Sequence, residues 1–417
     1  MNRAVGLIAV FLSGGPLVRP SAVLPACDPA SGGITLPDGF CAVVVADQVG
    51  APRHLAVAPN GDLFVALAGR RGGAGGILAL RDTSGDGKAD VQQTIGTEGG
   101  TGIALGKGAL YFGTASTVYR YAMRVGSLAP LGAPDVIVKD LPVGGHSAKN
   151  LALAPDGRTL FVNIGSATNS CQVADRSNES PGEDPCPELA YRAGVWRIAT
   201  KHDQTRLSGT RFATGIRNAV GLALAPSGEL YATQHGRDQL GQNWSKLFTI
   251  EQSAEKPSEE FFKLTEGADF GWPYCYHDAE LGHLVLAPEY GGDGKQVGRC
   301  KDKQQPLLAF PGHWAPNGLT FYTGCQFPEH YRGGAFIAFH GSWNRAPLPQ
   351  AGYRVAFVPF KNGKPVGGYE TFADGFWKED PAGPKHRPVG VAVGPDGSLY
   401  ITDDAAGTIW RVMYKGR

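Results

Sequence analysis

His54-Leu55-Ala56-Val57-Ala58-Pro59-Asn60-Gly61-Asp62-Leu63-Phe64-Val65 is the outline of a β-hairpin. Apolar side chains alternate up to the turn, Asn60-Gly61 supplies the positive φ, and Leu-Phe-Val resumes a strand. The same pattern returns at residues 150–163, 221–233 and 390–402, each with Pro-x-Gly before Leu-Phe or Leu-Tyr. Residues 102–113 are a shortened copy, and residues 318–339 an expanded one with an insertion between its two strands. A unit of this length cannot bury both of its own faces, whereas units stacked radially can. Six copies therefore predict an all-β chain folded as a six-bladed β-propeller. Residues 40–46 read as a strand without a blade, and pairing with the final strands around Ile401 and Trp410 closes the ring. A pair of β-sandwiches is the alternative, and the regular spacing argues against it. Long insertions at 166–189, 239–300 and 361–385 are the loops on which a site would be built.

Composition agrees with this outline. Glycine supplies 60 of 417 residues and charged residues 18%, against roughly 7% and 25% in average domains. That is a profile of short strands and tight turns. With a net charge of +1 and no basic stripe, nucleic acid and anionic membranes are not the implied partners. Nor is there an internal apolar run of the roughly 18 residues that a membrane helix needs.

Residues 1–26 read as a secretory signal: Arg3 is the positive start, residues 4–12 are apolar, and small residues precede Cys27. Leu24-Pro25-Ala26-Cys27 also has the outline of a lipoprotein box, which would put a lipid anchor on Cys27. Residues 33–417 are assigned to the propeller. A periplasmic or secreted chain should pair most of its cysteines. Cys171 with Cys186 and Cys275 with Cys300 are the expected local disulfides, and Cys27 with Cys41 is a third, leaving Cys325 odd.

Two groups of residues could carry chemistry. Asp82-Thr83-Ser84-Gly85-Asp86-Gly87-Lys88-Ala89-Asp90 has the spacing of a calcium loop, with Asp82, Ser84, Asp86 and Asp90 as oxygen ligands in a structural role. A plain acidic turn between two strands is the other reading. The second group recurs at one topological position, just before an innermost strand: His146, Arg217-Asn218, His313 and His386-Arg387. Their convergence on one axis would make a cationic pocket suited to a planar polyanion, with His146 a candidate general base. Exposed aromatic groups at 269–274 and 342–345 could stack on flat rings. No nucleophile elbow, Walker loop, HExxH or Rossmann fingerprint occurs.

With these motifs in order, the chain resembles the glucose/sorbosone dehydrogenase family, propeller enzymes that use pyrroloquinoline quinone (PQQ), and in particular its sorbosone-type branch. The resemblance runs from about Leu36 to the C-terminus. It is carried by His146 before Leu-Ala-Leu-Ala-Pro-Asp-Gly, Gly215-Ile216-Arg217-Asn218, Gln234-His235-Gly236-Arg237-Asp238, residues 269–274, Ser342-Trp343-Asn344-Arg345 and Arg387-Pro388-Val389-Gly390. It implies oxidation of an aldose or sugar aldehyde, with His146 as base and Arg217 stabilising the developing oxyanion. Asn218, His313, Arg345, Lys385 and Arg387 would bind the cofactor, and the backbone carbonyls of Gly236 and Arg237 would hold a catalytic calcium. Gly145 stands where glucose-oxidising members carry an acidic residue, His235 replaces an amide, and the segment around Lys385 lacks a second arginine. These departures point either to altered substrate choice or to a family member that binds a sugar without oxidising it. No CxxCH haem motif occurs, so electrons would leave to an external acceptor. A non-catalytic propeller binding carbohydrate or protein is the alternative from another functional class. A calcium-dependent hydrolase or lactonase of propeller fold would need clustered carboxylates or Asn/Asp at the strand starts, which carry His and Arg instead.

Overall fold

The computed structural model describes residues 24–69, 73–205, 209–377 and 385–416. The predicted signal therefore lies almost wholly outside the described residues. Each of the six sequence repeats forms the two inner strands of a blade of four antiparallel strands, to which Gln204–Thr205 adds a parallel fifth on blade 2 and Ala268–Asp269 a parallel fifth on blade 3. Blade 1 consists of Pro52–Val57, Leu63–Ala68, Gly75–Arg81 and Val91–Ile95, and blade 2 of Gly100–Gly106, Ala109–Thr114, Val118–Ala122 and Asp135–Lys139. Blade 3 contains Leu151–Leu153, Thr159–Ile164, Gly194–Ala199 and Thr210–Thr214, and blade 4 Gly221–Leu224, Leu230–Gln234, Glu259–Leu264 and Leu308–Phe310. Blade 5 runs Pro316–Phe321, Ala335–Phe339, Arg354–Val358 and Glu370–Ala373. Blade 6 has Pro388–Val393, Leu399–Asp403 and Ile409–Tyr414, and its fourth strand is Phe40–Ala46 from the other end of the chain. The ring closes there with Phe40 opposite Tyr414 and Val44 opposite Trp410. Ile401 lies one strand further in.

The repeat is visible at the level of single bonds. Ala58, Ala154, Ala225 and Gly394 each donate an amide to the residue that restarts the strand, Asp62, Thr159, Glu229 and Ser398, at 2.8–2.9 Å. The turn glycines Gly61, Gly157, Gly228 and Gly397 all have positive φ, between 66° and 92°. Strands such as Leu63–Ala68 are buried on both faces because each blade packs against two neighbours. One apolar cluster fills every junction between adjacent blades. Fully burying one such side chain contributes about 1.5–3 kcal/mol, so the six junctions supply the driving force for closure.

Two insertions are more structured than the sequence suggests. Residues 239–300 contain blade 4's third strand, Glu259–Leu264, two short helices (Leu240–Asn243 and Ile250–Glu255) and the hairpin Cys275–Asp278/His283–Leu286. Residues 361–385 contain blade 5's outer strand. All three expected disulfides form, and Cys325 is free and exposed. In the first of them the Cys27 sulfur is bonded to Cys41, the alternative to a lipid on that cysteine. Among the described residues no helix is long and apolar enough to cross a membrane.

Candidate active site

Of the residues that precede the innermost strands, His146, Arg217 and His313 come together around Asp238. Arg217 is buried, 3% exposed, at the start of blade 4. Its guanidinium donates through Nε to Asn169 O (3.1 Å), through Nη1 to Gly236 O (2.8 Å), and through Nη2 to Asn169 Oδ1 (3.0 Å) and Asp238 Oδ2 (2.9 Å). One N–H on Nη1 is left without a partner among the described residues. Its backbone amide donates to Gln234 Oε1 at 2.6 Å.

Asp238 is the hub of this wall. Besides Arg217 its carboxylate accepts Arg176 Nη2 at 2.8 Å and Asn344 Nδ2 at 2.8 Å, and it lies 3.8 Å from His313 Nδ1. Burial works against its charge, but Arg217 and Arg176 outweigh burial and hold the carboxyl well below the usual range. Asp238 therefore gathers the insertion carrying Asn169 and Arg176, the loop after blade 4's second strand, and the 342–345 segment around one arginine.

His146 stands across Gly165 from Asn218. A methyl group placed on Gly165 would be 2.6 Å from His146 Cβ and 3.0 Å from Asn218 Oδ1. The imidazole Nδ1 faces Ser166 Oγ at 3.0 Å and Ser166 O at 3.1 Å. Burial, then the charges of Arg217 and His235, push its pKa down to about 3. His235 is likewise pushed down to about 3 by burial and Arg217. Two buried polar atoms here have no partner, Asn218 Oδ1 and His235 Nε2.

Blades 1, 5 and 6 form another wall. Asp404 accepts Arg53 Nη1 at 2.5 Å and contacts His340 Nε2 at 2.7 Å, while His54 Nε2 contacts Asn317 O at 2.7 Å. His340 lies close enough to His235 to disfavour its protonation. Arg53, His54, His340 and Asp404 carry no legible motif in the sequence, since each sits inside or just after a strand and reads as ordinary packing. Asn169, Ser166 and Arg176 were hidden in an insertion that carries no motif.

The other expected site residues are placed less uniformly. Arg387 is half-buried and donates to His340 O (3.1 Å) and Gly341 O (2.5 Å). His313 is buried against Ser253 O at 2.8 Å. Arg345 directs its guanidinium at the carbonyls of Ala254, Gly312 and Pro349, which makes it a loop fastener. Lys385 is exposed. Arg237 turns its side chain toward Glu289 at 2.5 Å.

In the 82–90 loop Asp82 accepts the amides of Gly85 and Gly87, Asp86 that of Lys88, and Asp90 those of Thr83 and Ser84. The carboxylates cap the turn's own backbone. Among the described residues no three His, Cys, Asp or Glu side chains converge as metal ligands would.

Comparison with known proteins gives a consistent picture. The TrAA12-like family profile matches residues 34–415. An uncharacterized protein of Borreliella burgdorferi is 30% identical over 273 residues, covering 65% of this chain and 61% of that protein. A pyrroloquinoline quinone-dependent pyranose dehydrogenase of Coprinopsis cinerea is 25% identical over 285 residues, 55% of this chain and 36% of that one. The chain thus spans less than two thirds of the length of these curated relatives. Among solved structures, the holo PQQ domain of the Coprinopsis cinerea pyranose dehydrogenase superposes with TM-score 0.75 at 18% identity, covering 94% of this chain and 99% of that one. The calcium structure of the Trichoderma reesei family AA12 enzyme gives 0.74 at 21%, covering 92% and 97%. At such identities the superpositions establish the six-bladed fold. With one family profile extending from Ile34 to Lys415 and the axial motifs in place, the chain belongs to the TrAA12-like family.

Proposed function

We propose that this chain is a PQQ-dependent dehydrogenase that oxidises an aldose or a sugar aldehyde of the sorbosone type. The observation that carries the reading is the pairing of a neutral, oriented histidine with a buried arginine beside two unpartnered polar atoms, Asn218 Oδ1 and His235 Nε2. Orphaned buried polar atoms call for a polar ligand: His235 Nε2 could donate to an oxygen of a flat, carboxylated quinone, and Asn218 Oδ1 could accept from a sugar hydroxyl. Bound there, the quinone would supply the two-electron chemistry. His146 accepts the sugar hydroxyl proton on the ring nitrogen that faces away from Ser166. Arg217 presents its uncommitted Nη1–H and its charge to the oxygen on which negative charge develops. Asn218 contributes hydrogen bonding from the same strand start. Asp238, Asn169 and Gly236 O keep the guanidinium from swinging.

Cofactor carboxylates would be met by Arg387, His313 and Lys385, and Arg345 contributes through the loop it fastens. Calcium fits less well. Gly236 and Arg237 offer backbone carbonyls only, and Gly236 O already accepts from Arg217, so the protein alone supplies an incomplete shell. Three disulfides support an oxidising compartment, periplasmic or secreted, and the electrons would pass to an external acceptor.

The test is dye reduction by metal-stripped protein given PQQ, with and without calcium, across a panel of aldoses and sorbosone. PQQ-dependent turnover is expected, and Arg217→Ala should lower it about 100-fold, in line with loss of an oxyanion-stabilising donor. Absence of both turnover and a bound-quinone absorbance band would instead indicate a binding propeller.

A further inference from the structure

Ser166 is fully buried just beyond blade 3's second strand and touches both groups assigned to the chemistry. Its amide donates to Arg217 O at 2.8 Å, and its carbonyl accepts the His146 amide at 2.9 Å. The His146 ring then turns Nδ1 toward the same residue, 3.0 Å from Oγ and 3.1 Å from the carbonyl. A carbonyl can only accept. The hydroxyl has a single hydrogen, and that points to Thr168 O at 2.7 Å, so Oγ also offers His146 only lone pairs. Both contacts require the hydrogen on Nδ1. Nε2 is then bare.

We propose that Ser166 is the positioning residue of this site, fixing His146 in the Nδ1–H tautomer and doing so without a negative charge. The inference rests on the reading of His146 as the base and names what keeps it competent. The charged groups that face the imidazole are Arg217, His235 and Asp238; burial, Arg217 and His235 disfavour its protonation, while Asp238 and the hydrogen bond to the Ser166 backbone favour it. Position 145 cannot supply a carboxylate, because Gly145 has φ +57° and a Cβ there would lie 2.2 Å from Ala167 O. A neutral partner therefore leaves the histidine unprotonated far into the acid range, where a carboxylate partner would raise its pKa.

The experiment is 15N NMR of protein labelled at histidine, titrated from pH 8 to 4, with His146→Gln identifying the resonance. It runs alongside the pH profile of kcat/KM for PQQ-loaded protein. The wild type should show the Nδ1–H form throughout, with no protonation of His146 in that range. Ser166→Asp should raise the His146 pKa by about 1–2 units, the usual effect of an opposite charge within hydrogen-bonding reach, and move the acid limb of kcat/KM upward by the same amount. Ser166→Ala keeps the carbonyl acceptor, so it should retain the tautomer and PQQ affinity while kcat falls several-fold. An Nε2–H tautomer in the wild type, or a His146 that titrates near 6.5, overturns the proposal even if Ser166→Asp does not fold. So does a folded Ser166→Asp with an unmoved His146 pKa. Because the NMR readout needs no turnover, an inactive wild type would count against the dehydrogenase reading without touching this one.

Discussion

Gly145 shows how one residue decides what its neighbours can do. The structure gives a steric reason for the absence of a side chain there: positive φ and a carbonyl where Cβ would sit. Arg192 fixes the same loop by donating to Gly144 O at 3.1 Å and to Val143 O. Gly145→Asp is accordingly expected to destabilise the protein by at least about 1–3 kcal/mol, the cost of a left-handed non-glycine residue. It should lower the thermal midpoint without restoring a histidine–carboxylate pair. A midpoint equal to wild type would show that the loop can move aside.

Among the elements, blade 4's third strand does the most to shape the site. Glu259–Leu264 begins with two adjacent acids, both 2% exposed. Glu259 accepts the amides of Gly236 (2.9 Å) and Ala315 (3.0 Å), tying the loop after one strand to the start of blade 5. Glu260 accepts from Gln234, whose own oxygen receives the Arg217 amide. Burial pushes Glu260 up to about 8. A carboxyl whose folded pKa is raised contributes stability in full below its unfolded value near 4.5, and loses it as pH rises through about 8. Glu260→Gln should therefore gain stability relative to wild type as pH rises from 5 to 8 in urea unfolding. A difference that stays constant over that interval would mean the carboxyl is already ionised at pH 5. The paired charges are also why this strand is hard to see in sequence, since adjacent glutamates read as a solvated loop.

At the scale of the whole molecule, stability is a matter of closure. Phe40–Ala46 covers the edge of Ile409–Tyr414, and Phe40 packs against Phe327, Tyr331, Phe372 and Tyr414 with ring centroids 4.8–5.3 Å apart. Trp410, fully buried, sits in the same junction. Removing residues up to 46 would leave an open strand edge beside an exposed aromatic cluster, the combination that drives edge-to-edge association. The truncated chain is expected to elute as oligomers or aggregate in size-exclusion chromatography. A monomeric, cooperatively folding truncation would show that five blades and a three-stranded sixth are sufficient.

The blade count, the closing strand, the loops that local disulfides staple and the strand-start position of His146, Arg217 and Asn218 were legible along the chain. All of these follow from local pattern: period-two alternation, Pro-x-Gly turns and short spacings between cysteines. The sequence also carried the motifs that match the family. Only the tertiary structure decided that Arg217 is held by Asn169 and Asp238, that Ser166 orients His146, that Arg345 fastens a loop, and that the 82–90 carboxylates cap their own turn. These outcomes depend on which groups a radial fold brings together from distant segments, and on how burial and neighbouring charges act on them once they meet. Neither quantity is encoded in the spacing of residues along the chain.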